Sequence, residues 1–211
     1  MKGRFITLEG IEGAGKSTVA AFIERTLQAA AVEVVRTREP GGTPLAERVR
    51  HLVLERGTEE LSALSETLLM FAARAVHVAN LIRPALARGA WVVCDRFTDA
   101  THAYQGAGRG VPPALIDELA QAVHADLRID CTLWLDLPVP EGLARARSRS
   151  AVRDRFESET LAFHERVRAG YQALAAREPR RIHRLDAAAP LATVEREVDA
   201  VVQQLLRDRA P

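Results

Sequence analysis

The chain has 211 residues, 47% of them apolar and 27% charged, a mix that fits an ordinary globular protein and argues against disorder, collagen-like repeats or a coiled-coil rod. Its 29 Lys and Arg against 28 Asp and Glu leave a net charge of +1, so affinity for phosphate must come from local clusters, and neither nucleic acid nor a membrane is an expected partner. The cysteines, Cys94 and Cys131, are too few for a disulfide framework, no apolar run approaches the roughly 18 residues of a membrane span, and the N-terminus lacks a signal-peptide pattern, so the cytoplasm is the expected location.

Arg4 to Glu9 is a short β-prone run. Glycines follow at 10, 13 and 15, and a helical pattern runs from Ser17 to about Ala30. Glu33 to Thr37 reads as a second strand, followed by the turn sequence Glu39-Pro40-Gly41-Gly42. Pro44 to about Leu54 has helically spaced apolar residues at Leu45, Val49, Leu52 and Val53. Leu61 to Arg88 is the longest helical stretch, interrupted by Pro84. Ala90 to Cys94 is an apolar strand ending at Asp95, and the glycine-rich Gly106 to Gly110 precedes a helix from about Pro113 to Val123. Cys131 to Asp136 is another apolar strand, Pro140 to Arg149 a helix that turns basic, and Glu157 to about Arg177 a further helix. Arg181 to Asp186 is a last short strand and Leu191 to Arg207 a closing amphipathic helix. Strands alternating with helices predict an α/β fold with a five-stranded parallel sheet and helices on both faces. No repeat or long linker divides the chain, so residues 1–211 are expected to form one domain.

The sharpest motif is Gly10-Ile11-Glu12-Gly13-Ala14-Gly15-Lys16-Ser17, with Thr18 next in the helix, which fits G-x-x-x-x-G-K-[ST] without mismatch. Glycines let backbone amides approach phosphate oxygens, and the following helix adds its N-terminal amides and positive dipole end. Lys16 can reach the β- and γ-phosphates of a nucleotide such as ATP, and the Ser17 hydroxyl can ligate Mg²⁺. The motif lies between a predicted strand and a predicted helix, the context that such a loop needs. A GTPase would also carry an Asn-Lys-x-Asp string, which does not occur here. A motor-type ATPase would end its acidic strand in Asp-Glu, whereas this one ends Cys94-Asp95-Arg96, and an Arg beside the acid suits a second phosphate-bearing substrate.

Six segments, in order and over essentially the whole chain, resemble the bacterial thymidylate kinase family. They are the phosphate loop with Glu12 inside it, Thr37-Arg38-Glu39-Pro40-Gly41-Gly42-Thr43, Phe71-Ala72-Ala73-Arg74, Asp95-Arg96-Phe97, Ala103-Tyr104-Gln105-Gly106 followed by Gly108-Arg109-Gly110, and the Arg-rich stretch Arg145 to Arg155. The resemblance implies a P-loop kinase fold, a homodimer, and transfer of the ATP γ-phosphoryl group to dTMP. The alternatives are another P-loop nucleotide kinase or a regulator that binds ATP without catalysis.

Within that resemblance each position has a physical role. Asp95, at the C-terminal end of a buried strand, is expected to hold hydrated Mg²⁺ with Ser17. Arg96 is expected to grip the acceptor phosphate in a bidentate fork. Glu12 is a carboxylate among phosphates, so a contact to a hydroxyl or to an Arg is its sensible role. Arg38 and Glu39 are assigned to positioning the acceptor. Arg74 is the candidate donor to a thymine carbonyl. An aromatic one helical turn before it would stack on the base, but that position is Met70, with Phe71 three before. Either Phe71 stacks from a rotated face, or Met70 supports the ring and Phe71 packs in the core. The resemblance further places Thr101 and Gln105 at the base and Tyr104 against the sugar.

The loop contains no Arg, so transition-state charge must be met from elsewhere. The segment of about 145–157 is expected to be a mobile lid over ATP, with Arg149 and Arg153 foremost and Arg155 after them. The acceptor phosphate is already anionic, so no general base is required. His77 and His102 are expected to be packing or surface residues, and the histidines show no metal-ligand spacing.

Overall fold

The computed structural model describes residues 3–55, 59–149 (of 149 only the backbone), 155–156 and 159–208. The strands are β1 (Phe5–Glu9), β2 (Val34–Arg38), β3 (Trp91–Asp95), β4 (Cys131–Asp136) and β5 (Ile182–Asp186), all parallel, in the order β2-β3-β1-β4-β5. The helices are α1 (Lys16–Ala29), α2 (Pro44–Leu54), α3 (Ala63–His77), α4 (Arg83–Ala87), α5 (Thr98–Thr101), α6 (Pro113–His124), α7 (Val139–Arg149), α8 (Leu161–Arg177) and α9 (Leu191–Arg207).

Strand side chains alternate between faces, and here both faces are dry. Ile6, Leu8, Trp91 and Val93 pack into one cluster with Ile23 and Leu27 of α1 and Val198 and Val202 of α9. Phe5, Val92 and Cys94 pack into another with Val78, Ile82 and Phe97. Continuous apolar strands are what burial on both sides demands. Because all strands run one way, Glu9, Arg38, Asp95 and Asp136 end at a single edge of the sheet, where the register sets Leu8 beside Asp95 and Arg38 beside Asp95.

Two segments depart from the sequence expectation. Pro84 does not break the long helix. Wider π-type turns over Val78–Ile82 precede it, and the Arg83 N–H reaches back to Val78 O, so the turn absorbs the donor that proline lacks. The glycine-rich stretch, which has no element assigned from sequence, begins in helical turns. After α5 the chain continues in π-type turns from His102 to Gly108. Glycines on both sides allow close packing on α8: a Cβ at Gly108 would sit 2.7 Å from Phe163 Cε2, and one at Gly170 of α8 would sit 2.8 Å from Ala107 Cβ. Local propensity reads such glycines as a turn, and tertiary packing overrides it. Helix α8 also starts later than Glu157, at Leu161, with the Thr160 hydroxyl accepting from Phe163 N.

Gly108→Ala is expected to destabilise the fold by about 1–3 kcal/mol through overpacking against the buried Phe163 ring. Urea unfolding checks this, and an unchanged midpoint contradicts the packing account.

Candidate active site

The phosphate loop connects β1 to α1 at the carboxyl edge of the sheet. Gly13 has a left-handed backbone, φ 77°, and a Cβ there would lie 2.1 Å from Gly142 O, so the loop and α7 touch backbone to backbone. Glu12, Gly13, Gly15, Lys16 and Ser17 line a cavity of about 380 Å³, within the roughly 300–1,000 Å³ of small-molecule sites. Ile11 and Ala14 are buried behind it, and Thr18 is exposed on the first turn of α1. Lys16 Nζ donates to Gly10 O at 3.1 Å and Ile11 O at 3.0 Å, which curls the side chain over the loop. Burial, and then the Arg96 charge, push the Lys16 ammonium down to about 8.

Arg96 is the joint of the site. Its backbone is left-handed, φ 70°, which turns the chain sharply after β3. Nη2 donates to Glu12 Oε1 at 2.8 Å, Nη1 donates to Gly10 O at 2.8 Å and to Tyr171 OH at 3.2 Å, and the guanidinium lies 4.7 Å over the Tyr104 ring. The Tyr104 hydroxyl donates to both Glu12 oxygens, at 2.8 and 2.9 Å. Burial alone would raise the Glu12 carboxyl, but Arg96, Lys16 and the Tyr104 hydroxyl hold it below the ordinary carboxylate range. His164 is fully buried with Nδ1 3.5 Å from Glu12 Oε2, outside hydrogen-bonding geometry.

Behind the joint, Tyr171 of α8 donates to Glu9 Oε2 at 2.8 Å, while Glu9 Oε1 accepts from Phe97 N at 2.8 Å. Burial first, and the nearby Asp99 charge next, push the Glu9 carboxyl up to about 8.

The opposite end of the cavity is built on α3. Arg74, 3% exposed, donates from Nε to Glu39 Oε2 at 2.7 Å and from Nη2 to Phe97 O at 3.1 Å and Thr101 Oγ1 at 3.0 Å. Its Nη1 is buried and makes no hydrogen bond among the described residues. Glu39 also pairs with His77 Nδ1 at 2.9 Å, and His77 Nε2 meets Thr37 Oγ1 at 2.7 Å. His77 is therefore a buried strut for Glu39, more than the packing residue expected of it. The Glu39-Pro40 peptide is cis. Arg38 lines the cavity and donates to Glu47 Oε2 at 2.9 Å.

Met70 lines the cavity, and so do Thr101, Tyr104 and Gln105. Phe71 does not. It packs with Val111 and Ile116, its ring 4.7 Å from the Arg74 guanidinium carbon, so the expectation that placed it at the nucleotide is corrected. Helix α3 turns Met70 inward because α6 covers the Phe71 face.

Asp95 Oδ1 is buried, lacks a hydrogen-bond partner among the described residues, and shares the cavity with Ser17 and Lys16. An orphaned carboxylate oxygen beside a hydroxyl fits a hard cation that keeps several waters. Among the described residues no three His, Cys, Asp or Glu gather to hold a metal.

Of the basic segment, Arg153 lies outside the described residues, as does the Arg149 side chain. Arg145 turns away from the cavity to Ala187 O, 3.0 Å. Arg155 donates from Nε to Val53 O at 2.9 Å and from Nη2 to Glu66, on the α3 side. Sequence reasoning missed Tyr171, Glu66 and Phe156, which lines the cavity 5.8 Å edge-on to Tyr104. An aromatic directly after the Arg-rich run was the available hint to Phe156; Tyr171 and Glu66 carry no local pattern.

Residues 8–198 match a family model described as "Thymidylate kinase". The chain is 53% identical to the thymidylate kinase of Teredinibacter turnerae, over 98% of this chain and all of that protein. It is 56% identical to that of Pseudomonas fluorescens strain SBW25, over 98% of each. A crystal structure of thymidylate kinase from Ehrlichia chaffeensis superposes with a TM-score of 0.77 at 35% identity, covering 96% of this chain and all of the other.

Glu9 gives a pH expectation. A carboxyl raised from an ordinary 4.5 to about 8 contributes stability below 4.5 that is lost as pH rises through 8. Lys16, lowered from 10.5 to about 8, adds stability only as pH rises above about 8, and the lowered His102, His124 and His183 add stability as pH rises toward 6.5 in parent and variant alike, so the difference between parent and Glu9→Gln reports Glu9. Glu9→Gln is expected to gain on the parent by a few kcal/mol between pH 5 and pH 8. Thermal melts at the two pH values check it, and a parallel loss in both proteins contradicts it.

Proposed function

The chain belongs to the thymidylate kinase family, and from that premise we propose how the cavity seats its two nucleotides, ATP on the loop and dTMP at Arg74, with their phosphates meeting at Arg96. The protein is an ATP-dependent nucleoside monophosphate kinase that converts dTMP to dTDP. The observation that carries the seating is the single continuous cavity, with Lys16, Ser17 and Asp95 at one end and Met70, Arg74 and Gln105 at the other.

Phosphoryl transfer asks for positioning and charge neutralisation more than for covalent chemistry. Loop amides and Lys16 hold the donor phosphates. Lys16 loses its Gly10 and Ile11 carbonyl partners as a phosphate takes their place. Arg96 has more donors than its protein partners use, and Glu12 fixes the plane in which the rest are offered. Tyr104 stands against Glu12 where it would meet the acceptor sugar. Arg74 Nη1, buried and unpaired among the described residues, suits a base carbonyl. Mg²⁺ would be held by Ser17 and Asp95, and when bound it neutralises charge on the β- and γ-phosphates. Arg149 and Arg153 are assigned the charge that develops on the transferred group.

The homodimer is part of the proposal. Half-exposed Leu45 and Leu52 on α2 and Leu64 and Leu68 on α3 form a face that a second copy would cover. No helix among the described residues is long and apolar enough to cross a membrane, and we place the reaction in the cytoplasm.

A coupled assay of ADP release with a panel of monophosphates tests the seating. Strong turnover is expected with dTMP and little with CMP, GMP or AMP; ATP binding without turnover on any of them contradicts it. Lys16→Ala is expected to lower kcat by orders of magnitude. Replacing Arg149 and Arg153 with Ala is expected to lower kcat more than it weakens dTMP binding, and equal losses would remove them from the transition state.

A further inference from the structure

Glu66 sits on α3 two turns before Arg74, is 0% exposed, and does not itself line the cavity. Its Oε1 accepts from Gln105 Nε2 at 2.7 Å and from Arg109 Nε at 2.9 Å, and its Oε2 accepts from Arg155 Nη2. Burying a carboxylate is costly, and here two guanidinium groups and an amide offset that cost. A carboxylate facing two guanidiniums can only accept hydrogen bonds. Gln105 must therefore turn its NH₂ group to Glu66.

That contact fixes the other end of the amide. Gln105 lines the cavity and is 2% exposed, so it has little room to rotate. With Nε2 committed to Glu66, the carbonyl oxygen is the edge left for a ligand, and it accepts no hydrogen bond among the described residues. A carbonyl pairs with a donor. Thymine and uracil carry N3–H, a donor, whereas cytosine offers a bare N3, an acceptor. A flipped Gln105 would reverse that preference.

We propose that Glu66 is a positioning residue for base selection: by holding the Gln105 amino group it turns the carbonyl oxygen toward the base and favours pyrimidine monophosphates with a protonated N3. Arg109 and Arg155 hold the Glu66 carboxylate in place, so the orientation rests on the whole buried cluster. The inference relies on the reading that dTMP occupies the Arg74 end of the cavity.

The test is the ratio of calorimetric dissociation constants for dCMP and dTMP in the full-length protein and its variants. Glu66→Met keeps the volume and removes the acceptor; the ratio is expected to fall at least about tenfold. Glu66→Gln can keep its oxygen toward Gln105 and Arg109, so it is expected to stay within about threefold of the parent. A merely structural role for Glu66 weakens both nucleotides together and leaves the ratio unchanged in Glu66→Met, and that result overturns the proposal. Should Glu66→Met not fold, Glu66→Asp withdraws the oxygen by one methylene; a ratio lowered about threefold or more supports the proposal and an unchanged one overturns it. If the parent protein binds dTMP no better than dCMP, the seating reading fails with it. If the parent discriminates and the variants discriminate equally well, only the role of Glu66 falls.

Discussion

Arg96 holds the two halves of the site together. It leaves the end of β3 in a left-handed conformation, φ 70°, that costs a non-glycine residue on the order of 1 kcal/mol. Charge-assisted hydrogen bonds to Gly10 O and Glu12, a stack on Tyr104 and a contact with Tyr171 offset that cost. The strain points the guanidinium back across the sheet edge to the phosphate loop. Without that turn the acceptor side and the donor side would be separate surfaces.

Around this joint the protein uses acids as struts, three of them buried and Glu12 partly so. Glu9 braces Tyr171, Glu12 orients Arg96, Glu39 holds Arg74, and Glu66 holds Gln105. Each pairing ties its partner side chain by a hydrogen bond, and three of those partners, Arg96, Arg74 and Gln105, line the cavity. Preorganisation of this kind suits phosphoryl transfer, whose barrier falls by placement and by charges already aimed at the transferred group. The buried cysteines take no part in it: burial pushes the Cys131 thiol up to about 12 and Cys94 well above its ordinary value.

Legibility from sequence followed the range of the interactions. The five strands, the phosphate loop and Asp95-Arg96 were readable because apolar runs and glycine spacing are local. Helices α2 and α9 were readable to the residue for the same reason. The choice between Met70 and Phe71 was not, because it depends on how α3 docks against Ile116 of α6. The glycine-rich run carried no readable element, since Gly108 answers to Phe163 of α8, more than fifty residues away. Glu66, Tyr171 and Phe156 escaped notice because their partners are distant in the chain. The role of His77 escaped too: a lone histidine on an apolar helix face gives no sign that Glu39 and Thr37 will meet it.

The central claim is that two nucleotides lie end to end across Arg96. A crystal structure with a bisubstrate mimic, adenosine joined to thymidine by an oligophosphate, tests it most directly. The account expects the bridge to run from the Gly10–Ser17 loop to the Arg96 guanidinium, with the thymine ring beside Met70 and Arg74. A bridge that bypasses Arg96, or a thymine ring bound outside that end of the cavity, would contradict it.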